Sequence, residues 1–273
     1  VPFLASRPHA HPRAVIAGAP FDGTATFRPG ARDAPDAIRW ASQSLETYSP
    51  AQRRDLDDLA LADLGDLDVA SSDGAAGAVA RVRQSLEGLE AFPALLGGEH
   101  TLTVGAVQAA LARHPDLAVV ALDAHLDLRD EYDGRTWSHA TTFARILDLI
   151  PPHRLAILGA RAGTREEWTK ADALLAVSPT GALDVRVWSA LSARPLYLSV
   201  DIDAFDPSIA PGTGNPEPLG LAVDDFVTLL SVLREGTVVG CDLVEVSPRY
   251  DPSGRTAALG AWLIREMLLA FVR

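Results

Sequence analysis

The chain has 273 residues, 48% of them hydrophobic, enough to bury a sizeable core within one α/β domain spanning 1–273. Its 36 acidic against 24 basic residues give a formal net charge of −12, which disfavours nucleic acid and anionic membranes and favours a small cationic partner. One cysteine excludes an internal disulfide framework, and no segment approaches the roughly 18 apolar residues of a membrane span, so a cytoplasmic protein is expected.

Taken in chain order, AVIAGAP (14–20) predicts a strand, and APDAIRWA opens a helix over 34–49. LALADLG (59–65) and ALLGG (94–98) predict further strands, with helices over 75–91 and 101–113. LAVVAL (117–122) and LAILGA (155–160) flank a helix at 139–150. LYLSV (196–200) leads into a loop rich in proline and glycine at 203–220, followed by a helix at 223–234. VVGCDLVEV (238–246), whose Cys241 reads as an inert buried residue, and a helix over 255–271 complete the series. Continuous apolar runs suit strands covered on both faces, and their alternation with helices predicts a parallel sheet sandwiched between helical layers.

In such a sheet the binding crevice lies at the carboxyl ends of the strands. There ALLGG is followed by Glu99 and His100, LAVVAL by Asp123, His125 and Asp127, LYLSV by Asp201 and Asp203, and VVGCDLV by Glu245. Extended backbone turns alternate side chains to one face, which would aim the DxHxD and DxD groups together. Taken singly, Asp123 or Asp203 suits a turn or helix cap, and His100 a hydrogen-bonded helix start. As a group, His100, Asp123, His125, Asp127, Asp201 and Asp203 make two imidazoles and four carboxylates, whose mutual repulsion is relieved by cations. The oxygen-rich set points to a binuclear manganese site, two ions per chain, although affinity order alone leaves zinc, cobalt or nickel open.

GGEH (97–100), DAHLD (123–127), SHATTF (138–143), SVDIDAFDPSIAPGTGNPEP (199–218) and EVSP (245–248) together resemble the ureohydrolase (arginase–agmatinase) family. PFDGTATFRPGARDAPDAIR (20–39) is similar to that family's N-terminal signature, so the resemblance spans roughly 14–270. It implies a three-layer α/β/α domain around an eight-stranded parallel sheet, the arginase-like fold. It also implies a hydrolase that releases urea from a guanidino compound in arginine and polyamine metabolism, working as a trimer or hexamer. By the same resemblance, His100, Asp123, Asp127 and Asp201 would hold one ion, and Asp123, His125, Asp201 and Asp203 the other. Glu99 and Thr101 stand where many members have Asp and Ser, and neither is an implied ligand.

Two metals lower the pKa of a shared water, and Asp127 would orient the resulting nucleophile. The resemblance assigns Glu245 to the substrate guanidinium, where the plainer alternative is an ion pair with Arg249 or Arg255. It assigns His139 to proton transfer toward the leaving amine, where the plainer alternative is a helix cap. For substrate, the loop LRDEYDGRTW (128–137) resembles the agmatinase branch, with Asp130, Glu131 and Asp133 available either to attract a distal ammonium or to form a solvated loop surface, and Arg129 and Arg135 available to a carboxylate. Agmatine, yielding putrescine and urea, is therefore expected. Arginine, guanidinobutyrate and formiminoglutamate are the alternatives, beside a metal-binding protein without turnover or a single-zinc hydrolase of related fold.

Overall fold

The structure, a computed structural model, describes residues 1–69 and 74–273. β1 (Ala14–Ala19) is buried along its whole length. α1 (Ala34–Ser42) starts with a proline in its first turn, where a missing N–H removes no helical bond. It stops well before position 49. Ser42 and Ser44 donate their hydroxyls to the carbonyls of Arg39 and Ala41 at 2.7 and 2.8 Å, competing with the helix ladder. The chain then turns into an antiparallel ribbon of β2 (Tyr48–Ser49) and β3 (Arg54–Asp55), which no apolar run announces.

β4 (Leu61–Asp66), α2 (Gly74–Leu86), β5 (Phe92–Gly97), α3 (Thr103–Arg113) and β6 (Ala118–Leu122) follow as alternating units. Then come α4 (Thr142–Leu147), β7 (Leu155–Leu158), α5 (Arg165–Ala171), β8 (Ala176–Ser178) and α6 (Val185–Ser192). β9 (Pro195–Asp201), α7 (Val223–Leu233), β10 (Thr237–Val244) and α8 (Arg255–Phe271) close the chain. β8, α5 and α6 lie outside the elements expected from periodicity. β8 is three residues at the sheet edge, and α5 and α6 are short helices started by local capping at Thr164 and Asp184.

Among the described residues one eight-stranded sheet runs in the order β4-β1-β5-β10-β9-β6-β7-β8, with every neighbouring pair parallel. β6 shows how both faces are used: Val119 and Ala121 join the core with α2, α3 and α4, whereas Val120 and Leu122 join the core with α1, α7 and α8. The result is the three-layer α/β/α sandwich. Each large aliphatic side chain fully buried there contributes about 1.5–3 kcal/mol relative to exposure. Cys241 lies wholly within it as a free thiol. No helix of the described residues is long and apolar enough to cross a membrane.

Candidate active site

β5, β10, β9 and β6 are four consecutive neighbours in the centre of the sheet, although they are distant in chain order. Their carboxyl ends deliver His100, Glu245, Asp201 and Asp123 respectively. Register brings these ends level: Val244 pairs with Asp201 and Leu122 with Val200. Glycine is needed on the way out of β5, because a Cβ at Gly98 would lie 1.9 Å from the Phe21 carbonyl oxygen. Gly98 N and Glu99 N donate to Ala19 O and Phe21 O at 2.9 and 2.8 Å, which holds the N-terminal loop over the site, while Glu245 N donates to Gly98 O at 2.8 Å.

The six residues of the cluster meet at these ends, by a route that differs from strand alternation. β6 ends at Leu122, and the DAHLD side chains converge from the loop beyond it. Asp127 sits at φ 46, in the left-handed region, and its carbonyl accepts from the amides of Phe143 and Ala144 at 3.0 and 3.2 Å. Asp201 ends β9, but Asp203 belongs to a 3-10 turn over Ile202–Ala204.

His100 Nδ1 lies 3.0 Å from Asp123 Oδ2, 3.2 Å from Asp201 Oδ2 and 3.5 Å from Asp127 Oδ2. His125 Nδ1 lies 2.9 Å from Asp203 Oδ2 and 3.7 Å from Asp123 Oδ1. The two oxygens of Asp123 thus face different imidazoles, so this carboxylate is shared by two candidate cages. Among the described residues neither His100 Nδ1 nor Asp123 Oδ2, both buried, has a hydrogen-bond partner despite their approach. Ligand atoms about 2.1 Å from one ion and at right angles are about 3.0 Å apart, so this spacing fits shared coordination. Without cations the cluster is electrostatically frustrated. Burial, with the charges of Asp127 and Asp203, raises Asp123 to about 7. Burial opposes charge on His125, yet Asp203 and Asp123 carry it up to about 11.

Behind the cages stands a polar relay. Tyr197 OH donates to Asp242 Oδ2 at 3.0 Å, and Ser199 Oγ donates to Asp242 Oδ1 at 2.6 Å. With its hydrogen committed, Ser199 Oγ accepts from His100 Nε2 at 3.1 Å, leaving Nδ1 of the neutral ring as the lone-pair nitrogen. Asp242 is fully buried. It was open to notice as a lone acid inside an apolar strand run, and sequence reasoning passed over it.

Glu245 and His139 both line a cavity of about 340 Å³ above the cages. Glu245 sits at φ 63; its Oε1 accepts from His100 N at 2.7 Å, and burial, then the Glu99 charge, raises it to about 8. Arg249 pairs instead with Asp33 at 3.6 Å. His139 opens a 3-10 turn for which Ser138, not the histidine, is the N-cap. Burial lowers its pKa, so the ring is held neutral near pH 7. Thr24 Oγ1 accepts from His139 N at 3.2 Å, lies 3.3 Å from Nδ1 and donates to Glu99 Oε1 at 2.7 Å. Glu99 is therefore part of the support beneath His139, not of the cages.

Of the two readings of the acidic loop, the solvated surface is the one the structure shows. Asp130 pairs with Lys170 at 2.8 Å, and Glu131 and Asp133 are exposed outside the cavity lining. Arg129 does line the cavity, but its guanidinium stacks on Tyr132 at 4.4 Å and pairs with Glu167 at 3.3 Å. Arg135 is exposed and donates to Gly23 O.

A parallel three-layer sheet whose central strand ends gather two imidazoles and four carboxylates defines the class: an α/β/α enzyme fold with a candidate metal centre at its crevice. Residues 12–270 match the arginase family. Agmatinase of Bacillus subtilis (strain 168) is 38% identical over 280 residues, covering 99% of this chain and 96% of that protein. N(1)-aminopropylagmatine ureohydrolase of Thermococcus kodakarensis is 39% identical over 259 residues, covering 90% and 87%. The crystal structure of agmatine ureohydrolase of Thermoplasma volcanium superimposes with a TM-score of 0.90 at 33% identity, covering 98% of this chain and 93% of that one. The chain belongs to the arginase family.

Proposed function

We propose that the protein hydrolyses agmatine to putrescine and urea with two manganese ions bound. The observation that carries this reading is Glu245: one oxygen is fixed by the His100 amide, and the carboxylate lines the cavity directly above the paired cages. His100, Asp123, Asp127 and Asp201 would hold one ion, and Asp123, His125, Asp201 and Asp203 the other. Manganese suits four carboxylates and two imidazoles. The chemistry such ions supply when bound is activation of water near neutral pH.

The chain's own residues do the rest. Glu245 binds the guanidinium by charge-assisted hydrogen bonds and holds its carbon over the cages. Asp127 orients the attacking water. As the water oxygen bonds to the guanidinium carbon, the neutral His139 takes up the proton the water gives up, and as the bond from that carbon to the substituted nitrogen breaks, His139 returns the proton to the nitrogen, which leaves as an amine.

Agmatine is preferred over arginine or a guanidino acid because, among the described residues, the one lysine or arginine in the lining, Arg129, is already engaged by Glu167 and Tyr132. The names of the relatives support the same substrate class. Urea release from agmatine, arginine, guanidinobutyrate and formiminoglutamate by the manganese-loaded protein tests it. Agmatine is expected to give the highest kcat/KM, and a higher value for a carboxylate-bearing substrate overturns the assignment. The reading includes action as one domain, a cytoplasmic location and a homo-oligomer of three or six copies. The exposed Phe27, Trp40 and Tyr48 are apolar surface suited to such assembly, which sedimentation analysis checks.

A further inference from the structure

Resting on that functional reading, we infer that Glu217 is the specificity residue that anchors the distal ammonium of the substrate. Three observations converge on it: where it stands on the cavity wall, how its backbone is held and what its carboxylate lacks.

Residues 213–217 run from beside the end of β10 to the cavity wall, which Asn215 and Glu217 line. Thr213 bridges Val246, and a Cβ built on Gly214 would lie 3.5 Å from Glu245 Oε2, so the wall begins beside the guanidinium-binding group. Asn215 and Glu217 line the same cavity further along. Three residues of chain reach at most about 11 Å, and the five bonds joining the two terminal nitrogens of a diaminobutane unit span about 6 Å. The wall is therefore long enough to bring a carboxylate level with the far end of agmatine.

The backbone at that point is tied down by Arg161. Its guanidinium donates to the carbonyls of Glu217 and Pro218, both at 2.9 Å, and to those of Asp203 at 2.8 Å, Ala204 at 3.1 Å and Gly159 at 2.8 Å. One side chain thus couples the wall to the turn that carries Asp203. An anchor mounted there has little ordering left to do when substrate arrives.

The Glu217 side chain is 40% exposed, and its nearest cationic neighbour is His125 Nε2 at 3.9 Å, beyond hydrogen-bond reach. Of the other carboxylates in the lining, Asp127, Asp201 and Asp203 belong to the cages and Glu245 faces the guanidinium. Glu167 is occupied by Thr164 N at 2.8 Å, Leu128 N at 3.1 Å and Arg129. Among the described residues of the cavity, Glu217 is the acid with both oxygens open to a ligand. An ammonium meets its charge and hydrogen-bonding capacity, and a substrate carboxylate is repelled by it.

The test compares agmatine with butylguanidine, which ends in a methyl group, on manganese-loaded wild type and Glu217→Gln. The preference for agmatine, read as the ratio of kcat/KM values, should fall about tenfold in the variant. Glu217→Asp, which keeps the charge, should restore part of it. An equal loss for both substrates, or a loss of bound manganese, would show that Glu217 acts by orienting His125 and overturns the anchor, as does an unchanged ratio. Should wild type release no urea from agmatine, the functional reading fails on its own. The anchor is then judged by calorimetric binding of agmatine: about tenfold weaker binding to Glu217→Gln upholds it, and equal binding rejects it.

Discussion

His100 Nε2 faces Ser199 Oγ at 3.1 Å, and this contact determines which nitrogen of the ring is free to meet the carboxylates. Ser199 can only accept there because Asp242 takes its hydrogen. Ser199→Ala, or Asp242→Asn, which lets Ser199 turn its hydrogen toward His100, should weaken the cage containing His100. The expected loss is about 10- to 100-fold in manganese affinity, with the His125 cage retained. Manganese titration of the variants reads both classes of site, and an unaltered isotherm would falsify the relay.

Glu245 is backed by the His100 amide and has no assigned place in either cage. Glu245→Gln keeps the shape but removes the charge that meets the guanidinium. A fall in kcat/KM of about 100-fold is expected, with two ions still bound. Retention of full activity would exclude the residue from substrate binding.

His139 is a buried neutral imidazole seated on Thr24 and outside the cages. His139→Asn should lower turnover by about 10² to 10⁴ while manganese content stays at the wild-type level. Metal analysis beside steady-state kinetics separates the two effects; turnover like that of wild type removes His139 from proton transfer.

In the absence of metal, neighbouring carboxylates overcome the opposition of burial and hold His125 protonated up to about 11, with His100 raised in the same way. An ion binding at either Nδ1 must expel that proton. Affinity therefore rises with pH, about tenfold per unit for each proton displaced, and falls on acidification. Titration calorimetry in buffers of different ionisation enthalpy counts the protons, and an affinity flat across neutral pH contradicts the geometry.

Much of the site was legible because its groups follow apolar runs in short motifs: GGEH marks the end of β5 and DAHLD the end of β6. What the motifs could not carry was the conformation between the residues. Asp127 reaches the cage through a left-handed backbone, and Asp203 through a 3-10 turn, neither of which spacing announces. Arg161 and Glu217 lie on loops with no periodicity, and their relation exists only across the chain. Asp130 shows the converse, since local acidity left a substrate contact and a solvated loop surface both open, and the structure places it on the surface with Lys170. In the fold, β8 was too short to register as an apolar run, and α1 lost its predicted end to two serine side chains.

Asp127 combines a backbone angle that non-glycine residues adopt at a cost of about 1 kcal/mol or more with a place among four crowded carboxylates. Glycine there would relax the chain and thin the crowd of negative charge at a single stroke. Heat-tolerance screening of this protein without an activity readout should accordingly drift toward sturdier molecules that are chemically silent.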